Sequence, residues 1–286
     1  MTDLCRGPDP APRAPRLEVP KGATETHFHL FGPASRYPYA EGREYTPPDA
    51  TPEAARHLFK TLGIERAVVI QPSVYGTDNR CQLEQGEAIG IPIRAVVVTS
   101  RETPDRELAR LHGIGARGMR FILAHAGGLS PSDLEFYADR MQEIDWHIQL
   151  MVRAHHLIEL ESRLARLRCP IVIDHVGMVR PADGLEQPAF QALLRLLRAG
   201  HCWVKITGAY RLSDKPPHYP DLATFARALV EAQPDRILWG SDWPHVAFTG
   251  EMPNTTDLLD LLFDWIPDKA LQRRILVENP VSLYGF

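Results

Sequence analysis

Short runs of apolar and β-branched residues alternate along the chain with segments whose apolar residues recur at helical spacing. The runs are ATETHFHL (23–30), RAVVIQ (66–71), IRAVVV (93–98), ARGMRFI (116–122), HIQLMV (147–152), PIVIDHV (170–176), CWVKIT (202–207) and RILWGSD (236–242). Each has the length and side-chain type of a buried strand. Between them, Leu134, Tyr137, Ala138, Met141 and Ile144 share one helical face, and Leu157, Leu160, Leu164 and Leu167 share another. Thr51-Pro52, Thr103-Pro104 and Ser130-Pro131 predict helix starts, a capping hydroxyl followed by a proline whose missing N–H costs nothing there. Asp133, three residues after Ser130, adds an acidic form of the capping box.

Eight strands at the roughly thirty-residue period of a βα unit predict an α/β fold, a single (β/α)8 barrel over residues 21–286. An open doubly wound sheet is the competitor, but it usually carries a glycine-rich phosphate loop after its first strand. Here the first strand ends in His-Phe-His-Leu-Phe-Gly. Residues 1–20 are rich in Pro and Arg and are expected to form a flexible tail. They contain no apolar signal-peptide core, so a cytoplasmic location is the default expectation.

Composition narrows the function classes. A formal net charge of -4 gives no reason to expect nucleic acid or an anionic membrane as partner. No apolar stretch is long enough for a membrane span. Cys5, Cys81, Cys169 and Cys202 form no C-x-x-C pair and are expected as free thiols. Neither a P-loop nor a G-x-S-x-G elbow occurs, which argues against an NTPase or a serine hydrolase of that type. The oligomeric state is not written in the sequence.

The candidate chemistry lies at the ends of strands. His27 and His29 are two apart and so share a strand face. His175 closes the sixth run and Asp242 the eighth. In a parallel barrel these ends converge on one mouth, where buried polar groups need a shared purpose. Arg120 sits inside an apolar strand, where an unpaired charge would be costly. The long stretch 31–50, with Tyr37, Tyr39 and Tyr45, is expected over the same mouth. A single Zn²⁺ held by His27, His29, His175 and Asp242 is one use of this set. A binuclear site would want a bridging ligand at the end of the fourth or fifth strand, and HIQLMV ends without one. His147 lies at the far end of that run, and His155 and His156 are expected on the surface of the next helix.

H-x-H on the first strand, IDHVG on the sixth and WGSDWPH on the eighth resemble the amidohydrolase superfamily, and within it the 2-pyrone-4,6-dicarboxylate lactonase group. Segments similar to that group run in order through nearly the whole chain: THFHLFGP (26–33), YPYAEGREYTPPDA (37–50), GTDNR (76–80), ARGMRF (116–121), IDHVG (173–177), WVKITGAYRLS (203–213), RILWGSDWPH (236–245) and ENPVSLY (278–284). The resemblance implies hydrolysis of a carboxylic ester, a small carboxylated lactone. Asp242 would activate water as general base while His27, His29 and His175 polarise the carbonyl, with no cofactor required. It further implies that Arg120 and Arg211 hold substrate carboxylates and that Tyr45 and Ser73 hydrogen-bond the substrate.

Two departures stand out. Ala126 and two glycines occupy the place of an expected arginine, and Met151 and Arg153 that of a tyrosine and an acidic residue. One carboxylate clamp is thereby lost, with Arg153 or His125 as its substitute. A lactone from ring cleavage or from a sugar acid then becomes as good a substrate as 2-pyrone-4,6-dicarboxylate. The alternatives are a zinc-dependent hydrolase or decarboxylase, a lactone isomerase using the same base, and a catalytically idle barrel that binds a ligand.

Overall fold

The computed structural model of the chain describes residues 4–123, 129–200 and 202–286. Eight strands form one parallel sheet in chain order: β1 (Thr24–Phe28), β2 (Arg66–Ile70), β3 (Ile93–Val97), β4 (Ala116–Ile122), β5 (His147–Met151), β6 (Ile171–Ile173), β7 (Cys202–Ile206) and β8 (Ile237–Trp239). The sheet closes where β1 meets the segment after β8. Phe28 pairs with Trp243, Asp242 N–H donates to His27 O at 2.8 Å and His29 N–H to Trp243 O at 2.9 Å. The fold is the expected (β/α)8 barrel, not an open sheet. Among the described residues, no helix is long and apolar enough to cross a membrane. All four cysteines are free.

Alternation along the strands sorts the side chains. Ala67, Val69, Ile148, Leu150, Ile173 and Val204 pack outward into the large apolar layer under the helices. Their neighbours point inward. Val68, Ile70, Val96, Val172, Trp203 and Leu238 form a second apolar cluster with Tyr284 from the C-terminal helix. The same inward parity applies to Glu25, His27, Arg120, Gln149, Asp174 and Lys205, all buried. The barrel therefore carries charge on its axis.

The helices form where their caps and apolar faces agree. The helix Pro52–Leu62 begins at Thr51, whose Oγ1 accepts from Ala54 N–H at 3.4 Å, and ends at Gly63 with φ +74°. Leu134, Tyr137, Ala138 and Met141 are buried on the helix Leu134–Gln142, and Leu157, Leu160 and Leu164 on Ala154–Leu164. Two expected caps differ. Thr103 Oγ1 accepts from Ser100 N–H, leaving Pro104 before the helix Asp105–Gly113. Ser130 caps a short turn, Pro131–Asp133, while Asp133 pairs with Arg101 at 2.5 Å instead of closing a capping box.

Residues 4–20 carry no helix or regular strand. They run along the helix Thr255–Trp265, where Arg16 pairs with Asp260 and Asp264, and reach the barrel mouth at Leu4 and Cys5, beside Thr46.

Candidate active site

The four residues singled out in the sequence meet at the C-terminal mouth of the barrel. His27 Nε2 and His29 Nε2 each lie 3.6 Å from Asp242 Oδ1. The His27 and His175 ring centroids are 4.9 Å apart. All four side chains are buried.

Local backbone conformation delivers them. His175 and Asp242 both fall beyond the last paired residue of their strands, in the left-handed region at φ +50° and +62°. Such conformations are uncommon for residues other than glycine and concentrate where function over-determines the backbone. Two glycines make room: a Cβ at Gly208 would sit 2.8 Å from His175 Nδ1, and one at Gly240 would sit 2.6 Å from His27 Cβ.

Asp242 is held asymmetrically. Its Oδ2 accepts from Tyr210 Oη–H at 2.5 Å and from Arg211 Nε–H at 2.7 Å, while Oδ1 faces the histidines. Burial alone would raise its pKa. Arg211 and His175 outweigh that and hold the carboxyl well below the usual range, so it is ionised.

Beneath His27 lies a second carboxylate. Asp174 Oδ1 is 3.2 Å from His27 Nδ1 and 3.8 Å from Lys205 Nζ. Its Oδ2 accepts from Gln149 Nε2–H at 3.0 Å and from Arg120 Nη2–H at 3.4 Å. Lys205 Nζ also donates to Thr26 O at 2.7 Å and Gln149 Oε1 at 2.8 Å. Burial pushes the Lys205 ammonium down to about 8, with Asp174 opposing the shift.

The histidines are neutral. Burial pushes His175 down to about 4 and lowers His29, and it carries His27 well below its ordinary value despite Asp174. His29 Nδ1 is 2.7 Å from Ile70 O, an acceptor, so it carries the hydrogen and Nε2 presents a lone pair. His27 Nδ1 lies between the Asp174 carboxylate at 3.2 Å and the Lys205 ammonium at 3.5 Å, which favour opposite tautomers. His27 Nε2 and His175 Nδ1 have no hydrogen-bond partner among the described residues. One ligand atom from each of His27, His175 and Asp242 lies within 4.8 Å of the others. This donor set fits one divalent cation by ligand type, spacing and unpartnered nitrogens.

A small cavity of about 50 Å³ opens over this cluster, tighter than the usual range of small-molecule sites. His29, His175, Asp242, Arg120, Arg211, Tyr45 and Ser73 line it, with Ile122, Met151, Val246 and Ala247 as its apolar wall. Burial pushes the Tyr45 hydroxyl up to about 12, with Ser73 beside it opposing the shift. Arg120 is not idle: Nη1 donates to Gln71 O at 2.8 Å. Arg153 is exposed at the start of the helix Ala154–Leu164 and does not line the cavity. His125 and Ala126 lie outside the described residues. His147 is buried at the opposite end of β5, and His155 is on the surface.

Sequence reasoning missed Glu25, Gln149, Asp174, Lys205 and Tyr210. The signal for four of them was available, the one that marked Arg120: a polar side chain at an inward position of an apolar strand run.

A family model described as Amidohydrolase matches residues 24–286. The chain is 40% identical to a 4-sulfomuconolactone hydrolase of Hydrogenophaga intermedia, across 100% of this chain and 96% of the relative. It is 35% identical to a 2-pyrone-4,6-dicarboxylate hydrolase of Comamonas testosteroni, across 96% and 93%. It is 33% identical to a D-galactarolactone isomerase of Agrobacterium fabrum, across 95% and 94%.

Proposed function

The chain belongs to the amidohydrolase family, and from that premise we propose that it hydrolyses a small anionic lactone at the cavity around Asp242. The observation that carries this reading is the divided carboxylate of Asp242. One oxygen is pinned by Tyr210 and Arg211, and the other is turned to the histidines inside a cavity that also holds Arg120. Three relatives that act on lactones by name support the substrate class.

The chemistry follows from the arrangement. The anionic substituent of the lactone approaches Arg211, with Tyr45 and Ser73 lending hydroxyls and the apolar wall taking the ring. Water at Asp242 Oδ1 loses a proton to the carboxylate as its oxygen attacks the ester carbonyl. Negative charge then develops on the carbonyl oxygen at the histidine side of the cavity. Collapse breaks the ring C–O bond, and the proton held by Asp242 passes to the departing ring oxygen. The product is an open hydroxy or keto acid.

The His29 tautomer refines the expected polarising role. With its hydrogen on Nδ1, His29 offers a lone pair toward the cavity, and a lone pair stabilises an oxyanion only through a proton or a cation. That observation favours a metal-assisted form of the same hydrolysis. His27, His175 and Asp242 would hold the ion, with His29 beside them. When bound, a divalent cation would polarise the ester carbonyl and ease deprotonation of water.

Ring transfer without net hydrolysis is the second reading, favoured by the isomerase relative. A panel of lactones tests both: 4-sulfomuconolactone, 2-pyrone-4,6-dicarboxylate and galactarolactone, each with and without chelator, with products followed by NMR. Ring-opened acid is the expected product. An isomeric lactone would move the assignment to isomerase, and no turnover on any anionic lactone would overturn it.

A further inference from the structure

Tyr210 does not line the cavity, yet its hydroxyl makes the shortest contact to the Asp242 carboxylate among the described residues. It follows β7 in the four-residue helix Ala209–Leu212, entered through Gly208 at φ +70°, and is 4% exposed. Its ring is wedged edge-on between His245 and Phe248, with centroids 5.1 and 4.8 Å away. The next residue, Arg211, shares the same oxygen but differs in setting. It lines the cavity, its side chain is 16% exposed, and its second bond is to Val246 O at 2.8 Å.

Asp242 Oδ2 thus has one donor shut away from the substrate and one facing it. The Asp242 backbone is already fixed by its N–H bond to His27 O, so only the side-chain torsions remain to be held. An incoming anionic group competes with Asp242 for the Arg211 guanidinium, because both are carboxylate-like partners for one planar fork. If Arg211 alone held the carboxylate, binding substrate would loosen the base at the moment it is needed.

We propose that Tyr210 is the positioning residue for Asp242, keeping Oδ1 aimed at the histidines while Arg211 turns to the anionic substituent of the substrate. This rests on the lactonase reading above. It divides one oxygen's two hydrogen bonds into a fixed anchor and an exchangeable clamp.

The test pairs Tyr210→Phe with Arg211→Gln, on an anionic lactone that the wild type opens and on the same ring without its anionic group. Tyr210→Phe is expected to lower kcat about ten- to hundredfold on the anionic lactone, the scale of a misplaced catalytic group, with KM within about twofold and a smaller loss on the neutral ring, where Arg211 stays on Asp242. Arg211→Gln is expected to raise KM about tenfold or more on the anionic lactone only, the size of a lost charge-assisted hydrogen bond. A Tyr210→Phe enzyme with unchanged kcat, or with only KM altered, overturns the proposal. A crystal structure of Tyr210→Phe with citrate, as an anionic carboxylate, bound at Arg211 decides it independently of turnover: an Asp242 carboxylate rotated away from His27 and His29 supports the anchor, and an unmoved one removes it. If the wild type opens no lactone, the functional reading fails while the crystallographic result still judges Tyr210.

Discussion

His29 donates its Nδ1 hydrogen to the carbonyl oxygen of Ile70 across 2.7 Å, and this bond decides what its other nitrogen offers the cavity. A neutral imidazole with Nδ1–H has only a lone pair at Nε2. Beside it, the nitrogens His27 Nε2 and His175 Nδ1 have no hydrogen-bond partner among the described residues, and Asp242 Oδ1 faces the same space. Zn²⁺ titrated into chelator-treated, dialysed protein is therefore expected to bind at one equivalent per chain by calorimetry. His175→Ala should weaken that binding about tenfold or more, by analogy with the loss of even an outer-sphere partner. Absence of a saturable one-to-one isotherm would leave the histidines to act through protons alone.

Asp242→Asn keeps the size of the side chain and removes its ability to take a proton. General base catalysis contributes roughly a hundred- to ten-thousandfold, so kcat on an accepted lactone should fall by about a thousandfold. Circular dichroism should show an intact barrel. Activity within tenfold of wild type would assign proton transfer to another group.

The barrel is legible in the chain because β-branched runs recur at one βα period and need only alternation to be buried on both faces. Its strand ends are less so. PIVIDHV reads as a strand through His175, yet pairing stops at Ile173 and His175 sits in a left-handed turn. RILWGSD likewise stops pairing at Trp239, before Asp242. A left-handed residue other than glycine leaves no compositional mark, so the sequence locates these side chains without their approach angle. Lys205 in CWVKIT and Gln149 in HIQLMV were visible as polar residues at inward positions. Their meaning was not, since it lies in contacts to Thr26 and Asp174 across the barrel. Tyr210 carried no signal, because a tyrosine in a short helix is ordinary until its hydroxyl is seen on Asp242.

Glu25 gives the fold a pH dependence of its own. Its carboxyl accepts the backbone N–H of His27 at 2.8 Å and of Ser241 at 2.9 Å, stitching β1 to the segment after β8. Burial nonetheless raises it from 4.5 to about 7, these bonds opposing the shift. The folded state then binds a proton between pH 4.5 and 7 that the unfolded chain has released, so this group's contribution to stability is full below 4.5 and lost as pH rises through 7. The loss amounts to about 3 kcal/mol at most. Buried neutral histidines act in the opposite sense over part of this range, so the measurement is a difference. Urea unfolding of wild type and Glu25→Gln from pH 5 to 8 should show the gap between them shifting steadily against the wild type as pH rises. A gap independent of pH would mean that Glu25 titrates below this window.

The N-terminal segment bears on substrate binding through Tyr45. Arg13 pairs with Asp257, Arg16 with Asp260 at 3.1 Å and Asp264 at 2.6 Å, and Asp9 accepts from Asn254 Nδ2–H at 2.8 Å. These anchor the segment to the helix after β8. Its far end crosses to the stretch after β1, where Cys5 N–H donates to Thr46 O at 2.8 Å, one residue beyond Tyr45. A ligand-lining side chain is thus tethered to the opposite side of the mouth by residues outside the barrel. Exposed ion pairs contribute little individually, but losing the Cys5 bond frees the backbone beside Tyr45, a cost of about 1 kcal/mol. A chain beginning at Val19 should therefore show KM raised about fivefold, with kcat within about twofold. If the segment is instead the flexible tail its composition suggests, limited proteolysis will remove it quickly and KM will not move.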